Sequence, residues 1–280
     1  MWHFAVIGDP IEHSLSPRLH TYLMKMTGIS GDYSRIHVQT ESDLKKVISK
    51  IETGELDGIN ITSPWKSKAV DYADDLTPEA KAAGVINTIA RDEKGLVGHN
   101  TDIFGFVEAL QRNFGISNYE VPVVLGAGDS SRAVLLGLEK LGFEKCTILN
   151  RTIRNTEILV KSIDVKINMD INKLLDAHLD SAFKDSDLII NTLPGYGRKI
   201  FKSIPLPTKG GAYFDLVYAA EHLEVLRKFQ HSGWNVCDGL DMLIYQGIAA
   251  LEYWTGKQVT NSIEMTELRD YLRKGDSNGD

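Results

Sequence analysis

The chain has 280 residues, of which 42% are hydrophobic and 25% are charged, and its formal net charge is −7. This composition is typical of globular proteins and argues against disorder. The acidic balance argues against nucleic-acid and anionic-membrane partners, which need a basic face, but it allows a small anionic ligand. With two cysteines, no signal-like N-terminus and no apolar run of about 18 residues, the chain is expected to be cytoplasmic, with free thiols and no membrane span.

Short apolar runs and helical stripes alternate over the first hundred residues. Strands are predicted at residues 4–7, 32–38, 58–61, 85–90 and 96–97, the last two joined by a hairpin-like turn. Helices are predicted from Ser16 to about Met26, from a Ser42 cap to Gly54, from Ser63–Pro64 onwards, and from Thr77–Pro78 to Gly84. This alternation predicts a mostly parallel α/β layer.

A second and more regular alternation begins after residue 120. Strands are predicted at residues 121–125, 146–149, 188–190 and 212–214. A glycine turn at 126–132 precedes a helix that runs to Gly142, and further helices are predicted at 223–229, 242–254 and 263–272, whereas 152–187 is ambiguous. Two α/β units therefore meet near Gly98-His99-Asn100-Thr101-Asp102, in which Asn100, Thr101 or Asp102 would cap the next helix. Because open α/β sheets bind ligands beyond the carboxyl ends of their strands, this junction is a candidate site.

The strand-turn-helix at residues 121–142 predicts a nucleotide site. Gly126 permits a tight turn, Gly128 lets the backbone approach a pyrophosphate, and the helix N-terminus offers N–H groups. Asn150-Arg151-Thr152, with Arg154 nearby, stands where an NAD site normally has an acid, and guanidinium groups bind a 2′-phosphate, so NADP is predicted. Asp129 would repel a pyrophosphate unless it points away. A plain glycine turn and a solvated arginine loop are the alternatives.

Polar side chains of the first hundred residues suggest a substrate site. Ser14 and Ser16 flank a predicted helix start, where hydroxyl and N–H groups suit a carboxylate. Asn60 and Thr62 lie at a strand end and add neutral hydrogen-bonding groups that suit a polyhydroxylated ligand. Lys66 falls in the first turn of the third predicted helix, where the helix dipole favours a neutral amine that could exchange a proton during hydride transfer. Capping, turn formation and, for Lys66, surface exposure are the ordinary alternatives.

Seven short motifs occur in order: GDPIEHSLSP at 8–17, NITSPWK at 60–66, VINT at 85–88, NTD at 100–102 with Gly105, GAG at 126–128, NRT at 150–152 and GLDMLIYQ at 239–246. In this order they resemble the shikimate dehydrogenase family over nearly the whole chain. The resemblance implies two α/β domains with a cleft between them: a substrate-binding domain, residues 1–102 plus 239–280, and an inserted Rossmann-like NADP-binding domain, residues 103–238.

The resemblance also implies roles for individual residues. Lys66 and Asp102 would form the catalytic pair, and Ser14 and Ser16 would hold the substrate carboxylate. The other substrate-binding residues implied are Asn60, Thr62, Asn87, Tyr218 and Gln246. The cofactor-binding residues implied are Gly126, Ala127, Gly128, Ser130, Asn150, Arg151, Thr152, Arg154, Thr192 and Gly239.

The implied activity is the reversible reduction of 3-dehydroshikimate to shikimate with NADPH, in chorismate and aromatic amino-acid biosynthesis, by a monomer or homodimer. No metal is expected, because the sequence has no His-Glu-x-x-His or paired Cys-x-x-Cys spacing. Departures from the family pattern lie on the cofactor side: Asp129-Ser130-Ser131, residues 191–197, and the lack of a proline near Tyr218. A quinate or aminoshikimate dehydrogenase and, further away, a non-catalytic sensor are the alternatives.

Overall fold

The computed structural model describes residues 1–194, 210–218 and 223–275. Contacts within the chain divide it into two compact units. Unit 1 comprises Met1–Gly105 and Leu243–Asp280, and unit 2 comprises Phe106–Met242. The turn predicted at residues 191–197 is described only as far as Pro194, and its remaining residues lie outside the described ranges.

Among the described residues, unit 1 contains a six-stranded mixed sheet. Its strands are β1 (Trp2–Gly8), β2 (Gly31–His37), β3 (Gly58–Ile61), β4 (Asp75–Leu76), β5 (Thr88–Asp92) and β6 (Gly95–His99), in the spatial order β2-β1-β3-β5-β6-β4. β1 pairs in parallel with β2 and β3, whereas β5 runs antiparallel to β3 and β6. The parallel layer predicted for this region is therefore confirmed for β1 to β3, and the predicted hairpin makes the other half largely antiparallel.

Helices α1 (Ser16–Thr27), α2 (Glu41–Glu52) and α3 (Pro78–Ala83) connect these strands. The apolar stripe predicted for α2 is buried in one cluster with strand side chains that include Ile7 and Ile59. The stripe consists of Leu44, Val47, Ile48 and Ile51. Burying a side chain of this size stabilises the fold by about 1.5–3 kcal/mol, which is why the 3.6-residue period predicted this helix correctly.

The helix predicted from Ser63–Pro64 is wrong. Residues 62–67 form turns, and a short 3-10 helix, Lys68–Tyr72, follows them. The Ser63–Pro64 peptide bond is cis. Lys66 therefore lies in a turn and not in the first turn of an α-helix, so the helix-dipole argument for its neutral amine does not apply.

Tertiary hydrogen bonds take the place of that helix. The indole Nε1 of Trp65 donates to the carbonyl oxygen of Val38 at 2.7 Å. The N–H of Ile86 donates to the carbonyl oxygen of Lys66 at 3.2 Å. Because backbone and side-chain groups of this segment are bound by other parts of unit 1, the local preference for a helix after a serine–proline pair is overridden.

Two predicted helix caps also differ from the structure. Ser16 is the first residue of α1 and not its cap, and Leu15 before it makes no capping side-chain bond. In α2 the cap is Thr40 rather than Ser42. The Thr40 hydroxyl accepts from the N–H of Asp43 at 3.2 Å, and the Asp43 carboxylate accepts from the N–H of Thr40 at 3.2 Å. This reciprocal pair satisfies two helix-end donors, which Ser42 could not have done alone.

Among its described residues, unit 2 contains a six-stranded parallel sheet. Its strands are β7 (Pro122–Leu125), β8 (Lys145–Asn150), β9 (Asn168–Lys173), β10 (Leu188–Asn191), β11 (Ala212–Asp215) and β12 (Asn235–Cys237), in the order β12-β11-β10-β7-β8-β9. Its helices are α4 (Asp102–Phe114), which begins in unit 1, α5 (Asp129–Lys140), α6 (Ile153–Lys161), α7 (Asp176–Asp185) and α8 (Leu223–His231). This strand order is that of the Rossmann fold, as predicted.

The ambiguous stretch at residues 152–187 contains α6, β9 and α7. β9 is an edge strand whose residues are all exposed or half-buried, so it lacks the apolar run by which a buried strand is recognised. Neither cysteine forms a disulfide bond; Cys146 is buried and Cys237 is half-buried.

Helices α9 (Leu240–Thr255), which begins in unit 2, and α10 (Met265–Gly275) complete the described chain. Trp254 of α9 stacks on Phe4 with ring centroids 4.4 Å apart, and its Nε1 donates to the carbonyl oxygen of Ile89 at 3.0 Å. These contacts fix α9 against the sheet of unit 1. Across the described ranges, no helix has both the length and the apolar character needed to cross a membrane.

Candidate active site

A buried ion pair joins Lys66 and Asp102 in unit 1. Asp102 Oδ2 accepts from Lys66 Nζ at 2.5 Å, and the two side chains are only 10% and 9% exposed. Asp102 is the first residue of α4, where the helix dipole favours a negative charge. Asn100 rather than Asp102 serves the helix end, since its Oδ1 accepts from the N–H of Ile103 at 3.4 Å. The Asp102 carboxylate is therefore left for Lys66.

Asn87, which directly precedes β5, holds the other oxygen of Asp102. Its Nδ2 donates to Asp102 Oδ1 at 2.8 Å and to Thr101 Oγ1 at 2.9 Å, and its Oδ1 accepts from the N–H of Thr101 at 2.8 Å. Gln246 Oε1, from α9, lies 3.4 Å from the same Nδ2. Asn87, Asp102 and Gln246, which were predicted as site residues, are thus brought together in one buried cluster with Lys66.

Asn60 and Thr62 lie at the end of the neighbouring strand. Asn60 is buried in β3, and its Nδ2 donates to the carbonyl oxygen of Asn87 at 3.2 Å and to Thr88 Oγ1 at 3.0 Å. Thr62, just beyond β3, is half-buried, and its N–H donates to the carbonyl oxygen of Ile7 at 2.9 Å. The strand-end position predicted for both residues is confirmed, and Asn60 is linked directly to Asn87.

Ser14 and Ser16 lie at the N-terminus of α1, with Ser16 buried and Ser14 half-buried. The N–H of Ser16 donates to Ser14 Oγ at 3.3 Å. Arg35 of β2 donates to the carbonyl oxygen of Ser14 from Nε at 3.2 Å and from Nη2 at 2.7 Å. A guanidinium group, which the sequence alone did not suggest, therefore lies beside the segment that carries both serines and favours an anion there.

The glycine loop of unit 2 has the conformation that a nucleotide site needs. Gly126 has a φ of +105°, and a Cβ there would collide with Thr192 Oγ1. Thr192 donates to the carbonyl oxygen of Leu125 at 2.7 Å and shares a hydrogen bond with Ser131 Oγ at 2.8 Å, so it supports the loop. Gly128 is exposed before α5, with open space where a Cβ would lie. A pyrophosphate can therefore approach this helix N-terminus, and the loop fits a dinucleotide.

Asp129, whose charge opposes phosphate binding, has a cationic neighbour. It is the first residue of α5, and its Oδ1 lies 3.7 Å from Nε of Arg132. Burial lowers the pKa of the Arg132 guanidinium below its ordinary value, an effect that the charge of Asp129 opposes. Arg132, which sequence reasoning missed, thus offsets the charge of Asp129 in the first turn of α5.

The other predicted cofactor residues of unit 2 lie where β7 and β8 end at their carboxyl edge: Ala127, Ser130, Asn150, Arg151, Thr152 and Arg154. Asn150 Nδ2 donates to the carbonyl oxygen of Thr152 at 3.0 Å. Arg151 and Arg154 are exposed. Because both guanidinium groups are exposed, they are accessible to the phosphate of a bound dinucleotide.

Two further predicted site residues belong to unit 2. Gly239 lies between β12 and α9, where a Cβ would collide with the carbonyl oxygen of Leu216, so close backbone approach requires glycine there. Tyr218 follows β11 and is half-buried. Tyr218 therefore belongs to a different unit from Lys66 and Asn87. Within residues 1–194, 210–218 and 223–275, no three His, Cys, Asp or Glu side chains converge in a way that could hold a metal ion.

Buried side chains that were not predicted as site residues surround the cluster of unit 1: His20, Tyr33, Thr88 and Thr101. Thr88 and Thr101 adjoin Asn87 and Asp102 in sequence, and this adjacency was the available signal. Tyr33 occupies an apolar position of an alternating strand and so resembles an ordinary core residue. Only the tertiary structure shows that its hydroxyl reaches Asn60 Oδ1, at 2.7 Å.

Comparisons with known proteins identify the family that the chain is similar to. Residues 6–89 match a family model described as the shikimate dehydrogenase substrate binding domain, and residues 239–259 match one described as the shikimate 5′-dehydrogenase C-terminal domain. A shikimate dehydrogenase (NADP(+)) from Staphylococcus haemolyticus is 32% identical over 265 residues, which is 94% of this chain and 95% of the relative.

Solved structures give the same result. A shikimate 5-dehydrogenase from Thermus thermophilus, in complex with NADP(H) and shikimate, has a TM-score of 0.81 at 29% identity; 98% of this chain and 99% of that chain are covered. Shikimate dehydrogenase from Mycobacterium tuberculosis has a TM-score of 0.83 at 26% identity, with 98% and 100% covered.

Proposed function

The chain belongs to the shikimate dehydrogenase family, and we propose that it catalyses the reversible, NADPH-dependent reduction of 3-dehydroshikimate to shikimate. One structural observation carries the chemistry of the proposal: the buried pair in which Lys66 Nζ lies 2.5 Å from Asp102 Oδ2, next to the amides of Asn87 and Gln246. Such a pair can donate a proton to a bound substrate and take it back while shielded from bulk water. The neighbouring neutral amides suit the hydroxyl groups of a polyhydroxylated ring.

In this proposal Lys66 handles the proton of the reaction. During carbonyl reduction the Lys66 ammonium donates a proton from Nζ to the oxygen whose carbon receives the hydride, and during alcohol oxidation the neutral amine accepts it. Asp102 orients the ammonium and balances its charge. Asn87 fixes Asp102 through the 2.8 Å bond to Oδ1, so the proton donor is held in one position.

Substrate binding is assigned to neutral and cationic groups of unit 1. The hydroxyls of Ser14 and Ser16 bind the carboxylate, and Arg35, which donates twice to the Ser14 carbonyl, stabilises that negative charge. The ring hydroxyls bind to the remaining polar side chains: Asn60, Thr62, Asn87 and Gln246, with Tyr218 from unit 2. The two units thus serve as the substrate-binding and NADP-binding domains.

NADPH, when bound, supplies the hydride. Gly126, Ala127, Gly128 and Ser130 form the loop that accepts the pyrophosphate at the N-terminus of α5, and Thr192 supports that loop. Arg151 and Arg154 bind the 2′-phosphate, with Asn150 and Thr152 shaping their turn. Gly239 contributes to cofactor binding because, without a Cβ, it lets its backbone lie against the carbonyl group of Leu216.

The proposal includes chorismate and aromatic amino-acid biosynthesis in the cytoplasm, by a monomer or homodimer. Two cysteines that form no disulfide bond support a reducing compartment. Sedimentation equilibrium of the purified chain measures the oligomeric state directly, and a tetramer would contradict this part of the proposal.

Initial rates with shikimate and with quinate, each with NADP+ and NAD+, test the proposed function. We expect shikimate with NADP+ to give the highest kcat/KM, by about tenfold or more over each other combination, which corresponds to roughly 1.4 kcal/mol of preferential transition-state binding. A preference for quinate would instead identify a quinate dehydrogenase. Absence of turnover together with absence of NADPH binding at millimolar concentration would favour the non-catalytic sensor.

A further inference from the structure

A stacked pair of buried rings lies behind the proposed substrate site. The imidazole of His20, on α1, lies 4.1 Å from the ring of Tyr33, on β2, with an angle of only 3° between the planes. Both side chains are buried. Burial lowers the pKa of His20 to about 3, so its ring is neutral in the physiological range. A neutral imidazole can lie flat against a phenol ring without bringing a charge into the core.

Tyr33 is a hydrogen-bond donor throughout the physiological range. Burial raises its pKa well above the ordinary value. Its hydroxyl donates to Asn60 Oδ1 at 2.7 Å. Tyr33 therefore contacts Asn60 on β3, a residue that the proposed function places in substrate binding.

The orientation of the Asn60 amide follows from its partners. One atom of the amide faces the carbonyl oxygen of Asn87 at 3.2 Å, and a carbonyl oxygen can only accept, so this atom is Nδ2. The second hydrogen of Nδ2 is directed to Thr88 Oγ1 at 3.0 Å. Thr88 Oγ1 donates in turn to Asn87 Oδ1 at 3.0 Å, which leaves its lone pairs for Asn60. Both amide hydrogens of Asn60 are thus committed within the protein.

We propose, on the basis of the proposed function, that Tyr33 is a positioning residue for substrate binding. Its hydroxyl, held by the stack with His20, locks the Asn60 amide with both N–H groups turned to Asn87 and Thr88. Asn60 then offers the substrate only Oδ1 and no N–H group, so it recognises a ring hydroxyl that donates. The Lys66–Asp102 pair is untouched by this arrangement, so Tyr33 acts on binding and not on proton transfer.

Tyr33→Phe removes the hydroxyl and retains the ring. We expect the KM for shikimate to rise about three- to tenfold, with kcat changed by less than about twofold, because one hydrogen bond that orients a binding group is lost. Tyr72→Phe is the matched control, since its hydroxyl donates to an exposed carboxylate, Glu41 Oε1, at 2.8 Å. That variant should retain the wild-type KM and kcat.

Substrate analogues separate positioning from a general loss of structure. Inhibition constants of 4-deoxyshikimate and 5-deoxyshikimate are measured on wild type and Tyr33→Phe. If Asn60 accepts from one ring hydroxyl, the analogue without that hydroxyl should bind both proteins equally, whereas the other analogue should lose affinity as shikimate does. An unchanged KM, or the same loss of affinity for shikimate and both analogues, would overturn the inference.

A pair of Thr88 variants tests the same amide if Tyr33→Phe fails to fold. Thr88→Val has the same shape without the hydroxyl, and Thr88→Ser keeps the hydroxyl. Valine should raise the KM for shikimate while serine leaves it within about twofold, and equal behaviour of the two would overturn the inference. Failure of wild type to bind shikimate would instead contradict the proposed function, so the two failures are distinguishable.

Discussion

At the scale of single residues, the chemistry assigned to this site depends on the charge and position of Lys66. Its Nζ is 2.5 Å from Asp102 Oδ2, and both side chains are about nine-tenths buried. A buried ion pair loses much of its hydration, and its charges stay in place only if each keeps its partners. Asp102 has a second partner in Asn87, and Lys66 Nζ donates to the other oxygen of the Asp102 carboxylate.

Replacing Lys66 by alanine should lower kcat by about 10²–10⁴-fold, because a positioned proton donor contributes this much to proton transfer, with little change in the KM for shikimate. The measurement is steady-state kinetics at a temperature at which circular dichroism shows the variant folded. Lys68→Ala is the matched control, because Lys68 pairs with Asp71 at 3.0 Å within the short 3-10 helix Lys68–Tyr72; this variant should retain wild-type kcat. A near-normal kcat in Lys66→Ala would contradict the catalytic assignment.

Arg151→Ala should weaken NADP+ binding by about tenfold or more and leave NAD+ binding within about twofold. The physical reason is that hydrogen bonds to a charged phosphate are worth roughly 1.5–3 kcal/mol, and only NADP+ carries the 2′-phosphate. Dissociation constants are measured by calorimetry. Lys161→Ala, an exposed cation at the far end of α6, controls for general charge effects. Equal losses for the two cofactors would exclude a 2′-phosphate role for Arg151.

At the scale of elements, the start of α2 shows how a capping box is distinguished from a nearby serine. Thr40 and Asp43 exchange hydrogen bonds across the first turn, whereas Ser42 lies inside the helix. Thr40→Ala should lower the free energy of unfolding by about 1 kcal/mol, because a helix-end donor loses its acceptor. Ser42→Ala should change it by less than about 0.5 kcal/mol. Urea unfolding of both variants checks this, and a larger effect at Ser42 would contradict the capping assignment.

Strand β2 holds the segment before α1 through two side chains on one face. Arg35 binds the carbonyl oxygen of Ser14, and His37 Nε2 lies 2.7 Å from Asp9 Oδ1, with His37 Nδ1 3.8 Å from Glu12 Oε1. The hydrogen bond to Asp9 is the main cause that raises the pKa of His37 above its ordinary value. The strand therefore holds this segment more firmly when His37 is protonated.

A pH dependence follows, with a defined sign. Because the pKa of His37 is raised by folding, its stabilisation is fully present below about pH 6.5, the unfolded value, and is lost as the pH rises through the folded pKa. The difference in unfolding free energy between wild type and Asp9→Asn should therefore shrink as the pH rises from about 5 to 9. Asp75→Asn, whose partner is Lys81 at 2.9 Å, should give a flat difference over this range. A flat profile for Asp9→Asn would contradict the prediction.

At the scale of the whole molecule, the division into two compact units leads us to expect that shikimate and NADPH stabilise different parts of the chain. Shikimate alone should slow amide hydrogen exchange in unit 1, including the N–H groups of Thr62 and Thr101. NADPH alone should slow exchange in unit 2, around residues 126–132. A ligand that binds only the native state lowers the local opening population, so protection reports where it binds. Mass spectrometry of peptides measures this, with sodium chloride at equal ionic strength as the control; the reverse assignment would contradict the proposed domain roles.

Much of the fold was predictable because it depends on neighbouring residues. The apolar stripe of α2 follows from a local helical period. A local backbone requirement predicts the turn between β5 and β6, which ends at Gly95, and the strand-turn-helix at Gly126. β9 was missed because an edge strand needs no apolar run. The helix predicted after Ser63 was wrong because its groups are bound by Val38 and Ile86, which are distant in sequence.

For the site, the sequence by itself determined which residue types are present, the family motifs that contain them, and the strand ends and helix starts on which most of them lie. Only the tertiary structure decided that Lys66 meets Asp102 across 36 positions and that Tyr33 reaches Asn60 across 27. The physical reason is that helical and strand periods act over a few neighbouring residues. Hydrogen bonds between buried polar groups, in contrast, depend on which elements the sheet brings together, and they override local preference wherever an unpaired group would be costly.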